Sequence, residues 1–597
     1  MNILRFSNSP SAKLDTALLI KQDLVTSLNK VDLSTSYFID IGKHAQEKIG
    51  NRVSVIGTYH PKTGKVKKAD IKLFTQDILD YCDTQGIDKL LIADAEYFKY
   101  LSGAKVFEKH IGEIFDCPLN GYEHIKITPM VNYTAVNMFP EKKPLLDLCN
   151  KTAGAMMSGK TLGKQEFEFN SYELITTLDE LEDKLNTISD GDTIALDIET
   201  TGLHLDHAEV LTLGIATSKY DAFTIAVHDH YGNLPIDQMI DMLKAFFKRH
   251  KGRRLFHNGL FDVKHLVYNW YMKDFTDVGG MIEGINDLHF DDTLILAYLK
   301  LNSTVRPNLG LKDLTYDFLS DYAEDVKQAI NVPLEDFAIY NAKDCCGTFY
   351  VYEQFKDALS FDVYNTIMKP SYRPLLKMML NGMPLNPDRV TEVRKLLEED
   401  LNSAQAALNS NEYVKLTVRQ LRLDAAEKYN KTHKTVKKTP GDFMDVKFNP
   451  NSTNQLRLLL FDIMGFEPIE YTSTGQSSTN RATIKELLET AEIDKKPALE
   501  ALVTISQAGI VLNTFISAFE EMSITQTIEG DIGSVDYTTL HGSLKLGGTQ
   551  SGRLSSSDPN MQNLPSNSKW GKAIKSCFTA PDGWLFAGAD FNALKRL

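Results

Sequence analysis

Cysteine and tryptophan are scarce in this chain, with six and three among 597 residues. Cys82, Cys117, Cys149, Cys345, Cys346 and Cys577 form no Cys-x-x-Cys pair. That excludes the usual zinc-ribbon spacing and a disulfide-stapled scaffold, and it suits a reducing compartment. No uninterrupted apolar run reaches the roughly 18 residues that span a bilayer. The opening residues, MNILRFSNSP, lack the apolar stretch of a secretory signal. There is no tandem repeat and no long low-complexity tract. These absences predict an intracellular soluble protein with no membrane partner.

What is present is ordinary for a globular chain: 43% hydrophobic and 24% charged residues. The length predicts three or more domains. A net charge of -14 speaks against uniform nucleic-acid affinity, but the charge is unevenly spread. Residues 415–447 hold nine basic and four acidic side chains, and 545–597 hold seven and three. An acidic protein with such patches can bind DNA locally, although solvated helix faces would carry the same charges.

Three regions follow one another. Residues 1–165 alternate strand-like and helix-like runs, as in TQDILDYCDTQGI, a helix closed by Gly86, then DKLLIADAEYF, a strand ending in acids. This predicts an α/β domain. MMSGKTLGKQEF reads as a linker, since its SGKT lacks the earlier glycine of a phosphate loop. Residues 166–360 again alternate strands and helices. Residues 361–597 are mainly helical, and the polar, lysine-rich stretch 409–447 reads as an insertion or flexible connection.

In the middle region, TIALDIETTGL places Asp197 and Glu199 two residues apart in an apolar run. On a strand they share one face. Burying two carboxylates together is costly without a cation, and a hard divalent metal resolves the conflict. LFHNGLFDVKHL sets Asn258 and Asp262 four apart, predicting one helix face, and IYNAKDCCGTFYVY does the same for Tyr340 and Asp344. Each pair alone is weak. In this order the three motifs resemble the DEDDy 3′→5′ exonucleases, which have a ribonuclease-H-like fold. The resemblance implies Asp197, Glu199, Asp262 and Asp344 as ligands of two Mg²⁺ or Mn²⁺ ions, with Tyr340 orienting the attacking water. It also implies that Thr200, Leu203 and Asn258 touch the terminal nucleotide. Two ions about 4 Å apart can clamp one phosphodiester.

The third region resembles family A, DNA polymerase I-like enzymes. SYRPLLKMMLNGMPLNPDRV resembles the opening of their polymerase region; FNPNSTNQLRLLLFDIMGFEP and STNRATIKELL resemble thumb helices, with Ser452 or Thr453 as a cap. The strongest signature is LHGSLKLGGTQSGRLSSSDPNMQNLPSNS. Thr549, Arg553, Asn560, Gln562 and Asn563 are its implied DNA contacts. Arginine and amide groups can test duplex shape through acceptors shared by all base pairs. Two positions after the proline, where a basic residue is usual, stands Asn567, with Lys569 close by. GWLFAGADF resembles the segment whose aspartate, here Asp590, holds polymerase metals; Lys595 stands where that family favours glutamate.

The resemblance therefore predicts an α/β multidomain protein: an N-terminal α/β domain, an exonuclease domain, a helical thumb and an incomplete palm. A second metal-binding aspartate and a fingers helix would lie beyond Leu597. The expectation is a proofreading nuclease that binds single-stranded 3′ ends and primer-template DNA, with polymerisation needing the missing palm and fingers. These could reside on a second polypeptide. The N-terminal domain lacks the clustered aspartates of a bacterial 5′ nuclease, which suggests a large tailed phage as source and a bacterial cytoplasm as location. ITPMVNYTAVNMFPEKKPLL resembles the DNA-facing loop of uracil-DNA-glycosylase-like folds, but a structural α/β domain is the preferred reading. The alternatives are a free-standing DEDD exonuclease and a DNA-binding subunit of a split polymerase.

Overall fold

The computed structural model describes residues 3–5, 14–21, 41, 53–61, 66–104, 107, 110–132, 142–159, 167–301, 309–319, 332–433, 435–472, 475–530, 533–565, 569–581 and 583–589. The chain forms two compact units. The first comprises Met1–Leu380 with Lys545–Leu554, the second Asn381–Leu544 with Ser555–Leu597.

The first unit holds two six-stranded sheets. In the N-terminal sheet, β2 (Thr16–Lys21) lies parallel between β3 (Val53–Thr58) and β4 (Lys89–Ile92), and β6 (Lys126–Pro129) extends the parallel run. β1 (Ile3–Arg5) and β5 (Phe115–Asp116) close the two edges antiparallel. The central strands are buried over most of their length, mainly through apolar residues, with Thr16, Ser54, Thr58 and Thr128 as buried polar ones. The crossover helix Lys68–Gln85 ends on Gly86 at φ 70°, the left-handed cap expected from the sequence. Of the expected linker, residues 160–166 lie outside the described residues, as do residues 133–141 of the glycosylase-like stretch.

The second sheet has the order β12-β11-β8-β9-β10-β7. β8 (Ile194–Thr200), β9 (Val210–Ala216) and β10 (Asp221–Ala226) form an antiparallel meander. β11 (Arg254–Phe256) and β12 (Asp291–Asp292) add parallel beside β8, while β7 (Ser171–Ile175) adds parallel beside β10. This is the ribonuclease-H-like arrangement expected from the motifs. The helix Leu334–Phe355 lies across β8, β9 and β10. Small side chains make that close approach possible: Ala195, Ala216, Ala222, Ala342, Cys345 and Cys346 form the layer between helix and sheet. Gly214 is the tightest point. A Cβ there would sit 2.6 Å from Cys345 Sγ and 2.8 Å from Asn341 Oδ1. All six cysteines are free and buried.

Apart from an acidic cluster on β8, two buried charges of this unit, Arg254 and Asp291, are met by partners. The Arg254 guanidinium donates to the carbonyls of Phe247, His250 and Asp287, at the C-terminal ends of two helices. Those carbonyls carry the negative end of each helix dipole. Asp291 is paired with Arg253 and Lys369 and accepts from the Tyr364 hydroxyl at 2.6 Å.

The second unit is mainly helical. Pro387–Ser410 packs along Lys496–Ile510, and Asn386 caps it through Arg389 N at 2.9 Å. Ser452, not Thr453, caps the short helix Thr453–Arg457. The stretch expected to be an insertion or flexible connection is largely a packed helix, Glu412–Thr432, with Val414, Thr417 and Ala426 buried. Its lysines fall on the solvated side of the apolar positions, so polarity concealed the helix. A hairpin, β14 (Ser523–Gly530) with β15 (Gly533–Leu540), carries β13 (Met383–Pro384) at one edge. β16 (Ser543–Lys545) and β17 (Ser555–Ser557) form a separate ribbon. Among the described residues one helix, Lys496–Met522, is long and apolar enough to cross a membrane by length and composition. Its Leu499, Leu502, Phe515 and Phe519 are buried in the cores of this unit.

Gly214→Ala should shift the Leu334–Phe355 helix away from β9. Overpacking of this kind costs about 1–3 kcal/mol. A lowered thermal midpoint in differential scanning fluorimetry is the expected result; an unchanged midpoint would show that the layer can relax.

Candidate exonuclease site and nucleic-acid-facing loops

From Leu196 onward the burial of β8 alternates as its sequence predicts. Ile194, Leu196 and Ile198 are buried, while Asp197 and Glu199 share the opposite, partly accessible face. Asp344 reaches the same place from the Leu334–Phe355 helix. One carboxylate oxygen from each of Asp197, Glu199 and Asp344 lies within 4.8 Å of the others. Asp262 sits in the first turn of the helix Leu260–Leu266 and accepts Ile198 N at 3.3 Å, which ties that helix to β8. Tyr340 lies one turn before Asp344 on the same helix. The structure thus brings all four predicted carboxylates and the tyrosine together around the end of β8.

The electrostatics of this cluster call for a cation. Burial, followed by the charges of Asp344, Asp262 and Glu199, holds the Asp197 carboxyl well above the ordinary carboxylate range. Burial, then Asp344 and Asp262, pushes Glu199 up to about 8. Burial raises Asp262 to about 7, although backbone N–H groups oppose it. A cation, Lys312, lies close enough to lower Glu199. Its ammonium also donates to the Tyr340 hydroxyl and lies 4.6 Å from that ring's centre. Burial and the neighbouring carboxylates raise Tyr340, so its hydroxyl stays protonated. Convergent oxygen ligands with uncompensated negative charge fit hard divalent cations.

Asn258 departs from expectation. It does not share a helix face with Asp262, because the helix begins two residues later. Asn258 stands in the left-handed region at φ 65°. The physical reason is Asp292: its carboxylate accepts Asn258 N at 2.9 Å and Gly259 N at 3.0 Å, turning the chain before the helix starts. Thr200 ends β8 just beyond a register shift, and its hydroxyl donates to Gly202 O at 2.7 Å. Leu203 follows with 77% of its surface exposed, beside a polar site.

Three residues at this site escaped the sequence reading. Asn341 is buried; its Nδ2 donates to Asp197 Oδ2 at 2.8 Å and its Oδ1 accepts from Thr212 at 3.2 Å. Its only signal was adjacency to Tyr340. Lys312 lies on the short helix Leu311–Leu314, far from any motif. Asp292 belonged to an unremarked acid pair, FDDTL.

The polymerase-like signature is divided between the units. In the first unit, Tyr298 Oη donates to Thr549 O at 3.0 Å, and Thr549 Oγ1 donates to Arg553 O at 2.8 Å. Gly547 at φ 69° lets the loop lie against Ile295 and Tyr298. Arg553 is exposed. In the second unit, Asn560 caps the turn Met561–Asn563 through Asn563 N at 3.2 Å, leaving Gln562 and Asn563 exposed. Lys569 pairs with Asp400 at 2.5 Å. Asn567, Asp590 and Lys595 lie outside the described residues.

Two family descriptions match this chain. "3'-5' exonuclease" matches residues 172–360, spanning the four carboxylates and Tyr340, and "DNA polymerase family A" matches residues 417–595. The chain belongs to the family A DNA polymerases. It carries their 3′–5′ exonuclease domain, and that exonuclease family implies use of a divalent metal. The DNA polymerase of Escherichia phage T5 is 25% identical over 581 residues, covering 92% of this chain and 60% of that protein. The DNA polymerase of Bacillus phage SP01 is 23% identical over 398 residues, covering 60% of this chain and 40% of its own length. A solved structure of the POL domain of Pol1 from M. smegmatis, in complex with DNA primer-template and dNTP, aligns at a TM-score of 0.45 and 17% identity. It covers 69% of this chain and 59% of that one. The chain thus spans 60% or less of the length of these two curated relatives.

A raised carboxyl pKa stabilises the folded state at low pH, and that contribution is lost as pH rises through about 7 to 8 for Asp262 and Glu199. A bound cation offsets the repulsion once the carboxylates are charged. Adding Mg²⁺ or Mn²⁺ to chelator-treated protein should therefore raise the thermal midpoint more at about pH 8.5 than at about pH 5.5. An equal shift at both values would mean that the cation binds elsewhere.

Proposed function

We propose that this chain is a metal-dependent 3′→5′ exonuclease joined to the duplex-binding part of a family A polymerase, acting in proofreading during DNA replication. The observation that carries the reading is the meeting of Asp197, Glu199 and Asp344, with Asp262 and Tyr340 beside them. In this reading residues 166–360 are the exonuclease domain and 1–165 an α/β domain of separate role. Residues 361–597 supply the thumb and the first palm segment, including Asp590 as a polymerase metal ligand.

Asp197, Glu199, Asp262 and Asp344 would hold two Mg²⁺ or Mn²⁺ ions, which when bound supply a more acidic water and stabilise the leaving 3′ oxygen. Asn341 fixes the Asp197 carboxylate by donating to its Oδ2. Tyr340 orients the attacking water by a hydroxyl that Lys312 holds in place. Thr200 and Asn258 grip the terminal nucleotide, and exposed Leu203 offers an apolar face to its base. Thr549, Arg553, Asn560, Gln562 and Asn563 contact primer-template duplex without reading its sequence. A soluble replication enzyme in the cytoplasm of an infected bacterium is the setting this reading implies.

Incubation with Mg²⁺ and a 5′-labelled single-stranded DNA should give a ladder shortening from the 3′ end. Asp197→Ala should reduce the rate about a thousandfold or more, and Tyr340→Phe about a hundredfold. Full activity of Asp197→Ala would overturn the ligand assignment. Arg553→Ala should weaken binding to duplex DNA and lower the salt dependence by about one counterion. An unchanged salt slope would remove Arg553 from the DNA surface.

A further inference from the structure

Asp292 is 3% exposed, and no cation pairs with it among the described contacts. Backbone N–H groups face its carboxylate, those of Leu294 and Ile295 in its own helix and two from another segment. Oδ1 accepts from Leu294 N at 3.0 Å, the ordinary cap of the helix Thr293–Lys300 that Asp292 precedes. The other two donors come from a segment more than thirty residues earlier in the chain: Asn258 N at 2.9 Å on Oδ1, and Gly259 N at 3.0 Å on Oδ2. One carboxylate thus closes the N-terminal ends of two helices, Thr293–Lys300 and Leu260–Leu266, where both dipoles favour negative charge. A serine or asparagine would cap its own helix as well. Only a carboxylate offers two acceptor oxygens without a donor to clash with the second segment.

The second segment is held in an uncommon turn. Asn258 adopts φ 65°, a left-handed conformation that asparagine takes more readily than most residues other than glycine. Gly259 beside it has no room for a side chain, since a Cβ would lie 2.6 Å from Phe256 Cβ and 2.8 Å from Phe290 Cε2. The turn is further fixed by His257, which bonds the Thr293 hydroxyl at 2.8 Å and Leu309 O at 2.8 Å. A turn of this kind persists where the surroundings over-determine it.

We propose that Asp292 is a positioning residue for the exonuclease reaction: it holds Asn258 in its left-handed turn, and so aims the Asn258 side chain at the terminal nucleotide. Asp292 touches no substrate itself. This inference rests on the exonuclease reading given above and specifies how one of its substrate contacts is set.

A double-mutant cycle on the full chain tests it, using single-stranded oligothymidylate with Mg²⁺. Asp292→Asn places an amide donor against a backbone N–H and should raise KM about tenfold, with a smaller change in kcat. Asn258→Gly removes the side chain being aimed and takes φ 65° freely, so it should raise KM by a similar factor. Asp292→Asn added to the Asn258→Gly variant should then change KM less than about twofold. If Asp292→Asn alone does not fold, Asn258→Gly should restore folding, because it relieves the turn. A lowered thermal midpoint with unchanged KM, multiplicative effects in the double variant, or failure of Asn258→Gly to restore folding would each overturn the proposal. Loss of the exonuclease reading would look different, since the parent chain itself would then leave the oligonucleotide intact.

Discussion

Like charges crowded into a half-buried corner are the constraint around which the exonuclease region is built. Asp197, Glu199 and Asp344 come within reach of one ion because a strand and a helix pack closely, with no room for a side chain at Gly214. That close packing requires a layer of alanine, cysteine and glycine between them, where most α/β layers would place branched aliphatic residues. Gly214 is paired directly with Asp197 across the sheet. The space left by its missing side chain is where Asn341 enters to donate to Asp197. The repulsion among the carboxylates is thus maintained by packing. Such an arrangement is costly without a cation and favourable with one, which is how a site acquires affinity for a divalent ion.

Much of this was legible from the amino-acid order, and the reason is periodicity. Two residues on a strand share a face, and four on a helix share a face, so Asp197 with Glu199 and Tyr340 with Asp344 declare their geometry directly. Asn258 with Asp262 has the same helical spacing and misleads. The backbone there is turned by a carboxylate more than thirty residues downstream, and no local pattern reports a long-range acceptor. Asn341 and Lys312 were hidden for the same reason: each matters through a partner distant in sequence. The helix Glu412–Thr432 failed to show for the opposite cause. Its buried positions are few, and its charge suggested a solvated connection.

The α/β character of the N-terminal region followed from its strand-like runs and glycine-capped helix, but nothing in those features names a ligand. A parallel sheet with covered faces is a stable answer to burial, and many unrelated activities use it. In the exonuclease region, by contrast, the carboxylates break the burial rule, and that violation is what points to chemistry.

The helix Thr293–Lys300 has a further consequence for the polymerase-type signature. Its first turn, capped by Asp292, fixes the turn at Asn258, and its face carries Ile295 and Tyr298, which hold the loop bearing Thr549 and Arg553. A family A polymerase signature is therefore physically supported, in part, by a helix of the exonuclease domain. Thr549 and Arg553 share a compact unit with the nuclease carboxylates, while Asn560, Gln562 and Asn563 belong to the other. Sequence contiguity alone would assign all five to one surface element. The backbone instead leaves one unit after Leu554, so local rigidity at Arg553 depends on Tyr298 and Gly547 rather than on the residues that follow it in the motif. Disturbing Tyr298 would loosen the Thr549 carbonyl first, and the Arg553 backbone through its bond to the Thr549 hydroxyl. The turn at Asn258 would keep its anchors, because its two bonds to Asp292 and those of His257 to Thr293 and Leu309 do not run through Tyr298.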